Sequence, residues 1–254
     1  MLSTGAYVNI ESSRGVTWLR INRPDTLNAL STAAIAALAD AIDGAREADA
    51  IVITGVGRAF CTGADLSTDV SAATVAAAGE LVLLIAAIPA PVIAAVNGPA
   101  AGVGASIAFA CDLVLAAESA FFLLPFLPLG LIPDGGATHA VVAGAGRIRA
   151  ARMAFGGERI PAALAAEWGL VGEVVPDATL VARVHAVTDQ LRAAPRAAVT
   201  ETKHLLRAAE ASALHSATQR ELETQSQLLT RPEYAQAREG FLARTPVHFR
   251  AERG

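Results

Sequence analysis

The sequence predicts an α/β fold that ends in a helical region, and three patterns support this prediction. Segments typical of strands and helices alternate at short spacing between residues 50 and 116, an order that α/β proteins share. Residues 6–22 have the pattern of a β-hairpin, and the chain from residue 178 onwards is nearly all helical in pattern. We therefore predict an α/β core over residues 1–192. A helical region over residues 193–254 would follow it as a lid or an oligomerisation element.

Strands are predicted where short apolar or alternating runs end at turn residues. A turn at residues 12–15 separates the two strands of the hairpin, and Pro24 ends the second strand. The later strands are short apolar runs, which is typical of strands buried on both faces. The predicted strands are residues 6–11, 16–22, 50–54, 91–96, 112–116 and 171–175.

Helices are predicted from capping residues, apolar periodicity and the positions of prolines. Ser31 is typical of an N-cap, and apolar residues at helical spacing follow it to about residue 46. Proline is favoured in the first turn of a helix, and three prolines of the second half occupy such positions. Residues 121–136 are rich in proline and glycine and predict no long regular element. The predicted helices are residues 31–46, 72–87, 102–110, 137–143 and 148–155, with later starts at Pro161, Pro195 and Pro232.

The composition excludes several classes of protein. Of the 254 residues 53% are hydrophobic and 17% are charged, whereas a disordered chain needs low hydrophobicity and high charge. The net charge of −4 leaves no excess of Lys and Arg for nucleic-acid binding. The most apolar stretch, residues 81–96, contains two prolines and is too short to span a membrane. We therefore expect a folded protein that neither binds nucleic acid nor spans a membrane.

Cysteines, histidines and the apolar excess give three further expectations. Two cysteines are too few for a disulfide scaffold, and no signal peptide is recognised, so a cytoplasmic protein is expected. The five histidines are scattered, and neither His-x-x-x-His nor Cys-x-x-Cys occurs, so no metal site is expected. The apolar excess is typical of a chain with extensive subunit contacts.

Two glycine-containing stretches could bind a negative charge through backbone amides. Residues 58–66 follow a predicted buried strand, and Gly63 could aim the amide of Ala64 or Asp65 at a ligand. Residues 97–106 run from a strand through a turn into a helix, whose first amides have no intrahelical acceptor. Alone, the first stretch is more typical of an ordinary loop. Together, one amide from each stretch could form an oxyanion hole.

A third stretch, residues 130–136 (GLIPDGG), places Asp134 between an apolar run and two glycines. One interpretation is an N-cap of the helix that follows. The other is a carboxyl group in an apolar pocket beside Phe122, Phe126 and Leu127, where burial would raise its pKa and make it a proton carrier. His139 is close enough in sequence to approach Asp134. The residues alone leave these interpretations open.

In their order and spacing these stretches resemble the motifs of the crotonase superfamily, the enoyl-CoA hydratase/isomerase family. Each motif alone is weak, but the resemblance runs the length of the chain. The matching segments are residues 22–24 (NRP), 27–30 (LNAL), 59–66 (AFCTGADL), 92–98 (VIAAVNG), 102–104 (GVG), 111–112 (CD), 130–133 (GLIP), 169–171 (GLV) and 239–242 (EGFL).

The resemblance implies a crotonase-like spiral of ββα repeats with a helical C-terminal region, assembled as a homotrimer or a hexamer. It implies an acyl-CoA substrate, with coenzyme A as part of the thioester and no tightly bound cofactor. The amides of Ala64 and Val103 would hold the thioester oxygen and stabilise an enolate. Coenzyme A would lie against Arg23, Leu27, Asn28, Ala64, Asp65, Leu66, Phe241 and Arg244. An apolar acyl pocket is expected beside Phe122, Phe126 and Leu129.

Departures from the family's hydratases favour a different reaction. Those hydratases position water with two glutamates, whereas the matching positions here hold Ser106 and Phe126, neither of which can act as a carboxylate base. Asp134 falls where family isomerases, including those of phenylacetate degradation, carry their acidic residue. The resemblance therefore implies that Asp134 shifts a double bond in an enoyl-CoA, Δ3 to Δ2 or ring-derived, by moving a proton.

Three alternatives remain at this stage. One is an enoyl-CoA hydratase of fatty-acid β-oxidation. A second is a non-catalytic acyl-CoA-binding protein, in which Asp134 would only cap a helix. A third is a hydrolase with Ser106, His139 and Asp134 as a triad, although no nucleophile-elbow motif surrounds Ser106.

Overall fold

The computed structural model describes residues 2–68, 70–245, 247 and 249. The strands in this part of the chain are β1 (Leu2–Thr4), β2 (Val8–Ser13), β3 (Val16–Ile21), β4 (Ala50–Gly55), β5 (Val92–Val96), β6 (Ala100–Ala101), β7 (Leu113–Ala117), β8 (Phe121–Leu123), β9 (Ile160–Pro161) and β10 (Glu173–Val175). The helices are α1 (Thr32–Gly44), α2 (Ala72–Ala87), α3 (Val103–Ala110), α4 (Ala137–Ala145), α5 (Arg147–Gly156), α6 (Ala162–Glu167), α7 (Leu180–Ala193), α8 (Arg196–Ala208), α9 (Ala211–Leu228) and α10 (Pro232–Leu242). The α/β prediction is confirmed.

A seven-stranded sheet in the order β1-β2-β3-β4-β5-β7-β10 forms the centre of the molecule. Strands β1 to β3 pair antiparallel, and the predicted hairpin is therefore correct. From β3 onwards every pairing in this sheet is parallel. Strand β5 is buried at every position, as expected for a central parallel strand. The carboxyl ends of β4 and β5 consequently meet at one edge, where the two glycine-containing stretches begin.

A second, three-stranded sheet in the order β6-β8-β9 lies beside that edge. The sequence did not predict these short strands, because two or three residues are too few to show a period. Strand β6 belongs to the second glycine-containing stretch and is held on both sides. The amide of Ala101 donates to the carbonyl of Cys61 at 2.9 Å, and that of Gly102 donates to the carbonyl of Leu123 at 2.9 Å.

The predicted helix boundaries agree with the structure where the local signals are strong. Helix α2 has the predicted bounds, because Ser71 opens it with a capping box and proline follows its end. Helix α1 ends two residues before the predicted position, but Ser31 is its N-cap and accepts from the Ala34 amide at 3.3 Å. Pro161 precedes α6 as its N-cap residue instead of being its first residue.

The C-terminal helices are bound to the core by buried polar contacts. Lys203 of α8 donates from Nζ to the carbonyls of Ile85 and Ala90, both at 2.9 Å, and lies 2.7 Å from Oδ2 of Asp112. Arg207 of the same helix pairs with Oδ1 of Asp112 at 2.8 Å. Helix α9 packs against α2 and α4. The boundary at residue 192 falls one residue before the end of α7, and the two-part division stays a prediction.

No helix in the described ranges is long and apolar enough to cross a membrane. The trimer or hexamer and the cytoplasmic location stay predictions. Several large apolar side chains are exposed on the described surface, namely Ile148, Phe155, Leu205 and Leu206.

Candidate active site

The two glycine-containing stretches lie side by side at the sheet edge. The amides of Phe60 and Cys61 donate to the carbonyl of Pro99 at 3.1 and 3.2 Å. Gly63 and Gly102 have φ values of +102° and +53°, which favour glycine. A Cβ atom on Gly63 would lie only 3.0 Å from the carbonyl oxygen of Ala101. The glycines therefore allow the two loops to approach closely.

Each loop presents one backbone amide without an acceptor. Ala64 forms a parallel bridge with Leu30, but the ladder bonds come from its neighbours: Leu30 donates to the Gly63 carbonyl, and Asp65 donates to the Leu30 carbonyl. Val103 is the first residue of α3, so its amide has no intrahelical acceptor. In the described part of the chain neither amide has another acceptor. Both are free to bind the oxygen of a ligand.

These amides border an apolar cavity of about 230 Å³ between the loops, α2, α9 and α10. Of the predicted site residues it brings together Ala64, Leu66, Val103, Phe126, Leu129, Asp134 and Phe241. Its other large apolar walls are Ile35, Val70, Val75, Leu131 and Leu229. Among the described lining residues Asp134 alone carries an ionisable side chain, which makes it the candidate for proton transfer in this cavity.

Asp134 is 7% exposed and reaches the cavity from the loop before α4. Burial raises the pKa of its carboxyl group to about 7, against the lowering effect of a 3.0 Å hydrogen bond from Gln225 Nε2 to Oδ2. The nearby carboxylate of Glu221 raises it further. A carboxyl group with this pKa can accept and return a proton near neutral pH.

Glu221, and not Asp134, caps helix α4. The N-cap residue of α4 is Gly136, which has no side chain to offer. Glu221 of α9 supplies the acceptors instead: Oε2 accepts from the Gly136 amide at 2.7 Å, and Oε1 accepts from the Thr138 amide at 3.0 Å. A carboxylate at this position is also favoured by the helix dipole. The interpretation of Asp134 as an N-cap is therefore wrong, and its side chain is left for the cavity.

The raised pKa links Asp134 to the stability of the fold. Because burial favours the protonated form, its contribution to the free energy of unfolding is complete below the ordinary value of 3.8 and is lost as pH rises through about 7. Relative to Asp134→Asn, the free energy of unfolding of the wild type should fall by up to about 4 kcal/mol as the pH rises from below 3.8 to above 7. Urea unfolding of both proteins across pH measures this difference. Parallel stability curves would contradict the raised pKa.

The hydrolase alternative does not agree with the geometry. The hydroxyl of Ser106 donates to the backbone carbonyl of Asp134 at 2.7 Å, and Ser106 does not line the cavity. His139 lies 3.4 Å from Glu210, and in the described residues it forms no hydrogen bond with Ser106 or Asp134. The same orientation prevents Ser106 from positioning a water molecule in the cavity.

Side chains of Arg23, Asn28 and Asp65 join the loop after β3 to the first glycine-containing stretch. Asn28 is fully buried; its Oδ1 accepts from the Arg23 amide at 2.9 Å, and its Nδ2 donates to the carbonyl of Ala59 at 2.7 Å. Arg23 pairs with Oδ2 of Asp65 at 2.7 Å. Burial works against the charged form of Asp65, yet hydrogen bonds from Ser67 and Arg23 outweigh it and lower the pKa. These side chains hold the loop that carries Ala64.

Of the other residues expected to contact the substrate, some line the cavity and some do not. The prediction that Phe122 lines the acyl pocket is wrong. Its side chain is fully buried in the core, where its ring stacks on Phe109 with centroids 5.0 Å apart, and it does not line the cavity. Leu27 and Arg244 also lie outside the cavity lining, both with positive φ. Phe241 is at the cavity edge and 61% exposed. Contact of Leu27, Phe241 and Arg244 with coenzyme A stays a prediction.

Sequence reasoning missed Glu221 and Gln225, although a signal was present. Helix α9 buries Leu214, Thr218, Glu221 and Gln225, which follow one another at intervals of three or four residues. Polar residues on a helix's buried face need partners, so this stripe indicated a polar contact with the core. In the described residues no group of three or more His, Cys, Asp or Glu side chains could hold a metal ion.

Comparison with known proteins gives a consistent result. The sequence model of the enoyl-CoA hydratase/isomerase family matches residues 11–252. A probable enoyl-CoA hydratase of Rhodobacter capsulatus is 38% identical over 95% of this chain and 97% of its own length. The 1,2-epoxyphenylacetyl-CoA isomerase of Escherichia coli is 36% identical over 93% and 95%.

A solved structure gives the same result for the fold. The enoyl-CoA hydratase of Mycobacterium avium subsp. paratuberculosis superposes with a TM-score of 0.91 at 43% identity, over 97% of this chain and 99% of that one. The crotonase-like fold expected from the motifs is thereby confirmed. The chain belongs to the enoyl-CoA hydratase/isomerase family of enzymes.

Proposed function

We propose that this protein is an enoyl-CoA isomerase, which moves the double bond of a 3-enoyl-CoA to the 2-position by proton transfer through Asp134. The observation that carries this proposal is the set of polar groups that border the cavity. It combines one ionisable side chain, Asp134, with the two unpaired amides of Ala64 and Val103 in the described residues.

The reaction needs one base and one oxyanion hole. The thioester oxygen accepts hydrogen bonds from the amides of Ala64 and Val103. The carboxylate of Asp134 then removes a proton from C2, and the electron pair of the C–H bond passes into a dienolate whose charge rests on that oxygen. The protonated Asp134 returns the proton to C4, which leaves the double bond between C2 and C3 and restores the carboxylate. One such amide donor is worth about 3 kcal/mol of barrier.

The cavity walls support proton transfer over hydration. Phe126 and the neighbouring leucines make the described lining mostly apolar, which disfavours a bound water molecule beside C3. Hydration would need a second carboxylate to activate water, and Ser106 and Phe126 hold the matching positions. The same apolar walls favour an acyl group made of hydrocarbon over one that ends in a charge.

Coenzyme A enters this proposal as part of the substrate, and the proton transfer needs no tightly bound cofactor. We propose that the acyl group fills the cavity, while the rest of the thioester extends out of it past Leu66 and Phe241. The loop carrying Leu27 and Asn28, and the tail carrying Arg244, would then flank the nucleotide.

The direct test offers purified protein 3-enoyl-CoA and 2-enoyl-CoA thioesters of several chain lengths. We expect conversion of the 3-enoyl substrates, seen as the absorbance of the conjugated product, and no hydration of the 2-enoyl substrates. A substrate deuterated at C2 should deliver part of its label to C4, because one carboxyl group removes and returns it. Hydration without isomerisation would replace the proposal by a hydratase, and tight acyl-CoA binding without turnover would replace it by a binding protein.

A further inference from the structure

We propose that Gln225 is the positioning residue of Asp134: it holds Oδ2 of the carboxyl group and leaves Oδ1 as the oxygen that moves the proton. This inference rests on the proposed function of Asp134 as the base. Gln225 comes from α9 in the C-terminal region, 91 residues further along the chain. Gln225 also lines the cavity, and the role assigned to it here is its hydrogen bond to Asp134.

Backbone groups of Ile132 fix the orientation of the Gln225 amide. Its Oε1 accepts from the Ile132 amide at 3.0 Å, and its Nε2 donates to the Ile132 carbonyl at 2.9 Å. A reversed amide would place its own N–H against the N–H of Ile132, so only one orientation satisfies both bonds. Nε2 must therefore face Asp134, where it donates to Oδ2 at 3.0 Å.

This arrangement treats the two oxygens of Asp134 differently. Oδ2 is occupied by Gln225, whereas Oδ1 has no hydrogen-bond partner in the described residues. Gln225 is 1% exposed, so its donated bond is shielded from water. A hydrogen bond to a carboxylate favours the charged form, which burial opposes. Gln225 therefore keeps a buried carboxyl group acidic enough to be ionised near neutral pH, and it fixes the oxygen that faces the substrate.

The other polar groups around Asp134 do not replace this contact. Glu221 of α9 faces it with a carboxylate already engaged by the start of α4. His139 of α4 is directed to Glu210. Ser106 of α3 donates to the backbone carbonyl of Asp134 and not to its carboxyl group. Loss of Gln225 would leave the carboxyl group buried near Glu221 without a described donor.

The test compares Gln225→Leu with Gln227→Leu, which makes the same change on the exposed side of α9. We expect the acidic limb of the kcat/KM profile for a 3-enoyl-CoA to move to higher pH by about one to two units in Gln225→Leu. The limb should stay in place in Gln227→Leu. A loss of activity at all pH values with an unmoved limb would show a purely structural role and overturn the proposal.

A second readout does not depend on turnover. The carboxyl band of Asp134, assigned in infrared spectra by its loss in Asp134→Asn, should titrate at higher pH in Gln225→Leu than in the wild type. An unshifted titration overturns the role of Gln225, whereas a wild type without isomerase activity contradicts only the proposed function. If Gln225→Leu does not fold, Gln225→Glu retains the acceptor for Ile132 and should raise the same pKa.

Discussion

Asp134→Asn is expected to lower kcat for isomerisation of a 3-enoyl-CoA by about a hundred- to ten-thousandfold, because an amide can neither accept nor return the proton. Asparagine has the size of aspartate, and its Oδ1 can still accept from Gln225. The amides of Ala64 and Val103 are untouched, so acyl-CoA binding should persist. Steady-state kinetics and a thioester binding measurement on the same preparation separate the two effects.

Asp40→Asn is the matched control for this change, because Asp40 is exposed on α1 and lies outside the cavity. Its kcat should equal that of the wild type. Full isomerase activity in Asp134→Asn would remove Asp134 from the mechanism. Loss of both binding and activity would indicate that the variant has changed the cavity instead of the chemistry.

Those parts of the fold that depend on local signals could be predicted from the sequence. Helix α2 has a capping box at Ser71 and a proline after its end, and both act within a few residues. The glycine-containing loops follow buried parallel strands, and the positive φ of Gly63 agrees with the close turn predicted there. Gly102, predicted as the first residue of α3, is instead its N-cap residue. Strands β6, β8 and β9 escaped prediction, because each is held by a partner in the tertiary structure and shows no period of its own.

The residues around Asp134 show why the site could be predicted only in part. The apolar run before Asp134 and the glycines after it indicated a carboxyl group in a pocket or at a helix start, but they could not choose between the two. The choice depends on Glu221, which caps α4 from 83 residues or more further along the chain. Phe122 was predicted to line the pocket because it is apolar and lies close to Asp134 in the sequence, but its side chain faces the core. Only the packing of α9 and β8 decides both cases.

The oxyanion hole offers a second large effect, which Val103→Pro is expected to show. Proline lacks the amide hydrogen but is well accepted at the first position of a helix, where the amide has no intrahelical acceptor. The change should therefore remove one donor to the thioester oxygen while α3 remains intact. Because that donor acts most strongly on the charged dienolate, kcat should fall by about a hundred- to thousandfold, with a smaller change in substrate binding.

Val103→Ala is the control that separates the amide from the side chain. Val103 is 4% exposed and lines the cavity, so shortening it alters the wall but keeps the N–H group. We expect its kcat to stay within about tenfold of the wild type, as for other small changes in an apolar pocket. Thermal unfolding of both variants checks that the helix has survived. Equal activity of the proline and alanine variants would show that the Val103 amide does not hold the developing charge. The hole would then have to be sought among other amides of the two loops.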